Sequence, residues 1–169
     1  MPKEYWAKEP LPLRWLFLID VSMEAVSKGF LDGFCEGVMN ALYGASSEKE
    51  VNGNDSQLNG FKNKSNLAPG SRVGIATFDK EVHFYSIAAG LERAQMIVMP
   101  DIDEPFVPMS EGLFVDPGES KAVITSLLTQ LPNMFARVKN PEPALLPTLN
   151  AALEALKATG KTDLVSTIF

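Results

Sequence analysis

The chain has 169 residues, 46% of them hydrophobic and 21% charged, which suits one globular domain and excludes a wholly disordered chain. A net charge of −6 and a pI near 4.8 argue against nucleic acid as a partner and against adhesion to an anionic membrane. A lone cysteine, Cys35, excludes an internal disulfide and a cysteine-built zinc site, and the densest apolar run, Trp15 to Ile19, is too short for a bilayer span. Met1 to Trp6 lacks the apolar centre of a secretion signal, so the cytosol is the simplest compartment.

Residues 1–12 read as an N-terminal extension. Leu13 to Ile19 is nearly continuous in apolar residues and ends at Asp20, the pattern of a strand buried on both faces of a mainly parallel sheet. A helix is expected from Met23 to Tyr43, with Val26, Phe30, Phe34, Val38 and Leu42 as its core face. Gly29, Gly33 and Gly37 form a second stripe. Each costs a helix interior about 1 kcal/mol against alanine, which points to close approach of the helix to the sheet or to a neighbouring element. Gly44 fits the helix stop. Ala45 to Ala68 is polar, turn-rich and without periodicity, and reads as a disordered insertion within the domain.

Arg72–Phe78 and Val82–Ile87 read as strands joined by the short turn Asp79-Lys80-Glu81, hence antiparallel to each other. Gln95–Met99 is a further short apolar stretch. The irregular connection from Pro100 to Gly118 is expected to be anchored by Phe106 and Phe114. Asp116-Pro117-Gly118-Glu119 signals a helix start with Asp116 as cap; the helix carries Ile124, Leu127, Leu128 and Leu131 and is expected to stop at Pro132. A last helix from Pro147 to Thr159 places Leu149, Ala152, Leu153 and Leu156 on one face, and Leu164 to Phe169 begins another strand. The sum is an α/β three-layer fold, a mainly parallel sheet with one antiparallel strand, which looks C-terminally incomplete.

Candidate chemistry is sparse. Asp20-Val21-Ser22-Met23-Glu24 lies where open α/β sheets hold ligands. Asp-x-Ser-x-Ser there is the metal-ion-dependent adhesion motif of von Willebrand A domains. Glu24 replaces its second serine, so Asp20, Ser22 and Glu24 form a degenerate version, and the preferred reading has Asp20 and Ser22 satisfying loop amides and capping the helix. His83, the only histidine, reads as a structural or surface residue with no nucleophile motif beside it. Cys35 reads as a small buried hydrophobe. Asp101, Asp103 and Glu104 read as turn-forming and loop-capping groups. No catalytic residue, cofactor site or working metal site is assigned.

Several segments resemble one family in the right order. Phe17-Leu18-Ile19-Asp20-Val21-Ser22 is similar to the opening strand of the trunk domain in the cargo adaptor of the COPII coat, the Sec24 family. Arg72 to Asp79 with Val82-His83-Phe84-Tyr85 matches its next signature. Gln95-Met96, Asp101, Asp103 and Phe106-Val107-Pro108 follow, then Glu119-Ser120, Val123-Ile124, Leu127-Leu128, Leu131-Pro132 and Met134-Phe135. The resemblance implies that residues 13–169 are part of a von Willebrand A-like trunk. It implies a binding module, not an enzyme, that pairs with the inner coat's GTPase-activating subunit in transport from endoplasmic reticulum to Golgi. Cargo sorting signals are partners of the full-length protein, and the setting is cytoplasmic, peripheral on exit-site membranes, with no direct membrane insertion. The family's zinc ribbon, which would precede the trunk, is absent with one cysteine, so no cofactor is expected. Arg72, beside the polar insertion, is the candidate contact for an acidic signal or partner carboxylate. The rival reading is a metal-dependent von Willebrand A adhesion or chaperone module acting through Asp20 and Ser22.

Overall fold

Residues 14–20 form β1 (Arg14–Asp20), in which alternate side chains are buried on opposite faces: Phe17 and Ile19 on one, Leu16 and Leu18 on the other. A strand apolar on both sides can be satisfied only inside a sheet covered twice. The computed structural model describes residues 13–44, 65–104, 106–109, 111–158 and the backbone of 166–168. After β1 come α1 (Met23–Ser27), α2 (Phe30–Tyr43), β2 (Arg72–Phe78), β3 (Val82–Ser86), β4 (Gln95–Met99), α3 (Lys121–Phe135), α4 (Leu145–Ala158) and β5 (Ser166–Ile168). The sheet order is β4-β3-β2-β1-β5. β1 is parallel to β2 and β5, while β3 is antiparallel to both β2 and β4, so β3 alone runs against the rest. The mainly parallel sheet with one antiparallel strand is therefore present.

Two cores flank the sheet. On one side Phe17, Ile19, Val73, Ile75 and Tyr85 meet Leu31, Cys35, Val38 and Leu42 of α2 and Ile124, Leu127, Leu128, Leu131 and Phe135 of α3. On the other, Leu16, Leu18, Ala76, Phe78 and Phe84 meet Ala151, Ala152, Ala155 and Leu156 of α4. Helix, sheet and helix make the three layers.

The expected long helix is two. Gly29, with φ 74°, takes the left-handed turn that separates α1 from α2. The expected face is also displaced: Leu31, Cys35, Val38 and Leu42 are buried, whereas Phe30 is 66% exposed. Residues four apart drift about 40° per step around a helix of 3.6 residues per turn, so a strict four-residue stripe cannot stay on one face. Nor do the glycines mark close approach to the sheet, because a side chain at Gly29, Gly33 or Gly37 would meet nothing within 4 Å. Gly44 does end α2, where a side chain would collide with the Asn40 carbonyl oxygen.

Other boundaries shift for local reasons. The Asp116 carboxylate accepts from the amides of Gly118 (2.8 Å) and Glu119 (3.2 Å) and shapes a turn ahead of α3, which begins at Lys121 with Ser120 in the cap position. α3 passes through Pro132 to Phe135, held on either side of the proline by buried Leu128, Leu131 and Phe135. α4 starts at Leu145, which puts Pro147 in the first turn, where amides have no partner within the helix to lose. Leu153 is 46% exposed and Ala151 and Ala155 are buried instead. Phe106 is half exposed and Phe114 half-buried. Leu113 and Val115 anchor that connection, the latter through paired backbone hydrogen bonds with Val73 of 2.9 and 3.0 Å. The N-terminal extension, 1–12, and residues 45–64 of the expected insertion lie outside the described residues; at its far end Asn66 donates from Nδ2 to the carbonyls of Ala41 and Gly44 and caps α2.

Leu128→Ala should cost about 2–5 kcal/mol by chemical denaturation, while Leu153→Ala, at an exposed position, should stay within about 0.5 kcal/mol of the parent. Equal losses would contradict this placement of the α3 and α4 faces.

Candidate functional site

The C-terminal ends of β1 and β2 carry two loops that meet. Val21 N–H donates to the Phe78 carbonyl at 2.9 Å, carrying the ladder one residue beyond the strands. Asp20 Oδ1 accepts from Ser22 N–H at 2.8 Å, and Ser22 Oγ accepts a long bond from Ala25 N–H at 3.4 Å as the cap of α1. Ser22 is buried. Glu24 turns to solvent, where Lys28 holds it at 2.6 Å; that hydrogen bond, and then the lysine's charge, lower the carboxyl below its usual range. Asp20 and Ser22 thus serve the loop, and Glu24 points to a different partner. Among the described residues no group of three or more His, Cys, Asp or Glu side chains is placed to hold a metal ion.

The residue that ties this end of the sheet together is Asp79, which the sequence suggested only as a turn former. Its Oδ1 accepts from Glu81 N–H at 3.0 Å, and its Oδ2 accepts from Asn140 Nδ2 at 2.9 Å. The Asn140 carbonyl accepts from Met23 N–H at 2.8 Å, and the Asp79 carbonyl from Ala144 N–H at 2.6 Å. The segment between α3 and α4 is thereby pinned across both loops. An aspartate after the second strand of an open sheet was a usable signal; Asn140, 61 residues away, carries none. Beside Asp20 and the α1–α2 break lies an open depression of about 380 Å³, walled by Ile19, Gly29, Phe30, Gly33 and Phe34.

His83 is buried, not on the surface. Its Nδ1 lies 3.0 Å from Thr77 Oγ1, which lies 3.0 Å from Tyr85 Oη, and Tyr85 donates to Met96 Sδ at 3.5 Å. A neutral imidazole protonated on Nδ1 satisfies the whole chain of bonds. The ring packs on Phe135 with centroids 5.5 Å apart. Burial lowers the His83 pKa, against the opposing pull of Asp79 and Glu81, and burial raises Tyr85 to about 12. Between β3 and Phe135 of α3 this histidine is only 6% exposed. Cys35 is buried on the core-facing side of α2, its thiol raised to about 11 chiefly by burial, and so is held as a thiol. Asp101 Oδ1 accepts from the amides of Asp103 (3.0 Å) and Glu104 (3.3 Å), closing a loop.

Arg72 opens β2 at the opposite end of the sheet from Asp20. Its side chain is exposed, its backbone N–H donates to the Leu13 carbonyl, and it stands in register beside Arg14 of β1. The structure therefore does not bring Arg72 together with Asp20, Ser22 and Glu24. Among the described residues no helix is long and apolar enough to cross a membrane.

With this geometry in place, comparison with known proteins is informative. The family model described as the Sec23/Sec24 trunk domain matches residues 10–168. "Protein transport protein Sec24A" of Mus musculus is 35% identical over 162 residues, covering 94% of this chain and 13% of the relative. "Protein transport protein Sec24C" of Homo sapiens is 36% identical over 151 residues, covering 89% and 12%. Among solved structures, that of the human COPII-coat protein Sec24c superposes with a TM-score of 0.70 at 32% identity, covering 95% of this chain and 19% of that one. The chain thus spans about an eighth of the length of these curated relatives.

Because protonation of His83 favours the unfolded state, where its pKa is higher, the stability held by the neutral imidazole is present above about pH 6.5 and lost as pH falls below it. The melting temperature of the parent should therefore drop more between pH 7 and pH 5 than that of His83→Gln. Parallel profiles would contradict a buried neutral histidine.

Proposed function

Since the chain belongs to the Sec23/Sec24 trunk domain family, we propose that it acts as a component of the COPII coat, in the cargo adaptor that pairs with the inner coat's GTPase-activating subunit during transport from endoplasmic reticulum to Golgi. The observation that carries this is the family match over residues 10–168, supported by a sheet and helix arrangement that follows the Sec24c trunk at 32% identity. The role is that of a binding module without catalysis. Supporting this, Asp20 and Asp79 at the C-terminal end of the sheet are spent on loop amides and on Asn140, and His83 and Cys35 are buried against apolar side chains. The reading needs no cofactor held by these residues. It places the protein on the cytoplasmic face of exit-site membranes, attached through protein partners, without insertion into the bilayer and without nucleic acid.

Within this reading Arg72 contacts an acidic sorting signal or a partner carboxylate. Its exposed side chain at the start of β2 leaves a guanidinium accessible to a carboxylate ligand.

Co-expression with the GTPase-activating subunit, followed by size-exclusion chromatography, should yield an equimolar complex; separate elution of two folded proteins would overturn the pairing. In that complex Arg72→Ala should weaken an acidic signal peptide about tenfold, and an unchanged affinity would remove Arg72 from the site.

A further inference from the structure

β4 is an edge strand, and its only backbone partner among the described residues is β3. Soluble proteins guard such edges with charge, proline, a bulge or a covering segment, because a free row of amides and carbonyls accepts another strand. Gln95-Met96-Ile97-Val98-Met99 contains none of the guarding residues. Its two faces differ. Met99 is buried and Ile97 half-buried on the α4 side, where the following connection reaches over and the Phe106 amide approaches Met99 Sδ at 3.3 Å. On the α3 side Met96 is 43% and Val98 38% exposed, a costly place for two apolar side chains.

The charges around the strand select its occupant. Arg93 stands two residues before β4 and Asp101 two residues after it, both exposed. Among the described residues Arg93 makes no ion pair. Asp101 Oδ1 is bound to two loop amides. When two copies of β4 lie antiparallel about a two-fold axis through Ile97, Met96 faces Val98 of the other copy, Gln95 faces Met99, and Arg93 faces Asp101. Each contact occurs twice, as an isologous interface requires.

We infer that β4 is a self-pairing edge, through which two copies of this chain join antiparallel about Ile97 into one continuous sheet. Backbone hydrogen bonds supply the pairing, Met96 and Val98 cover each other across the junction, and the two Arg93–Asp101 pairs set the register against slipped alternatives. A five-residue edge belongs to the smallest class of interface, below about 1,200 Å², so the dimer is weak and concentration-dependent. This inference is independent of the proposed coat function, since it concerns the chain alone.

The test uses the 169-residue chain alone, with light scattering after size exclusion over a range of concentrations. The expected result is a monomer–dimer equilibrium, weakened about tenfold or more by Arg93→Asp and restored by Arg93→Asp combined with Asp101→Arg. Restoration by the double variant separates loss of pairing from loss of folding. Ile97→Cys should form a covalent dimer on oxidation, because directly opposed residues of antiparallel strands lie about 4.5–5.5 Å apart between Cα atoms, within disulfide reach. Cys35, 2% exposed, does not compete. A chain monomeric at every concentration, a dimer indifferent to Arg93→Asp, or a double variant that stays monomeric would each overturn the proposal. So would a monomeric parent whose Arg93→Asp variant loses the GTPase-activating subunit, since the edge would then belong to a foreign strand.

Discussion

The parallel pairing of β1 with β2 is the constraint on which the rest of the structure depends. Seven residue pairs run from Arg14 beside Arg72 to Asp20 beside Phe78. Parallel strands cannot be joined by a tight turn, so the chain must cross over, and both faces of the pair must be covered. Leu16 and Leu18 with Ala76 and Phe78 require the α4 layer, while Phe17 and Ile19 with Val73 and Ile75 require α2 and α3. Were either layer lost, a strand apolar on both faces would be left half in water. The two cores are thus one cooperative unit, joined through strands that contribute to both.

The same pairing decides where binding chemistry can lie. It sets the Asp20 loop and the Asp79 turn side by side at one end, where Asn140 locks them, and Arg14 and Arg72 side by side at the other. At the first end Asp20, Ser22 and Asp79 bond to nearby backbone amides and to Asn140. The second presents the exposed Arg72 side chain. On the flank beyond β3 the sheet ends, among the described residues, at β4.

How much of this was legible in the sequence follows from the range over which each signal acts. Strands β1 to β3 could be read because continuous apolar runs bounded by Asp20, Asp79 and polar turns leave few alternatives. The helices could be placed but not their faces. Phe30 shares a four-residue spacing with Val38 and Leu42 yet is exposed, because each four-residue step drifts about 40° around α2 and carries Phe30 off the buried face. Pro132 read as a stop, but tertiary packing of Leu128, Leu131 and Phe135 outweighs one missing amide donor. At the site, the local roles of Asp20, Ser22 and Asp101 were readable, since each bonds within three residues of itself. The burial of His83 was not, because Phe135 arrives from a helix half the fold away. Nor was the Asp79–Asn140 bond, for which no local pattern exists.

Hydrogen exchange of the native 169-residue chain, resolved by peptide, tests the primacy of the β1–β2 pair most directly. The account predicts that amides of residues 16–19 and 73–78 exchange slowest and together, as one cooperative unit, with those of β4 markedly faster. Rapid exchange in β1 and β2 while α3 or α4 stays protected would contradict it.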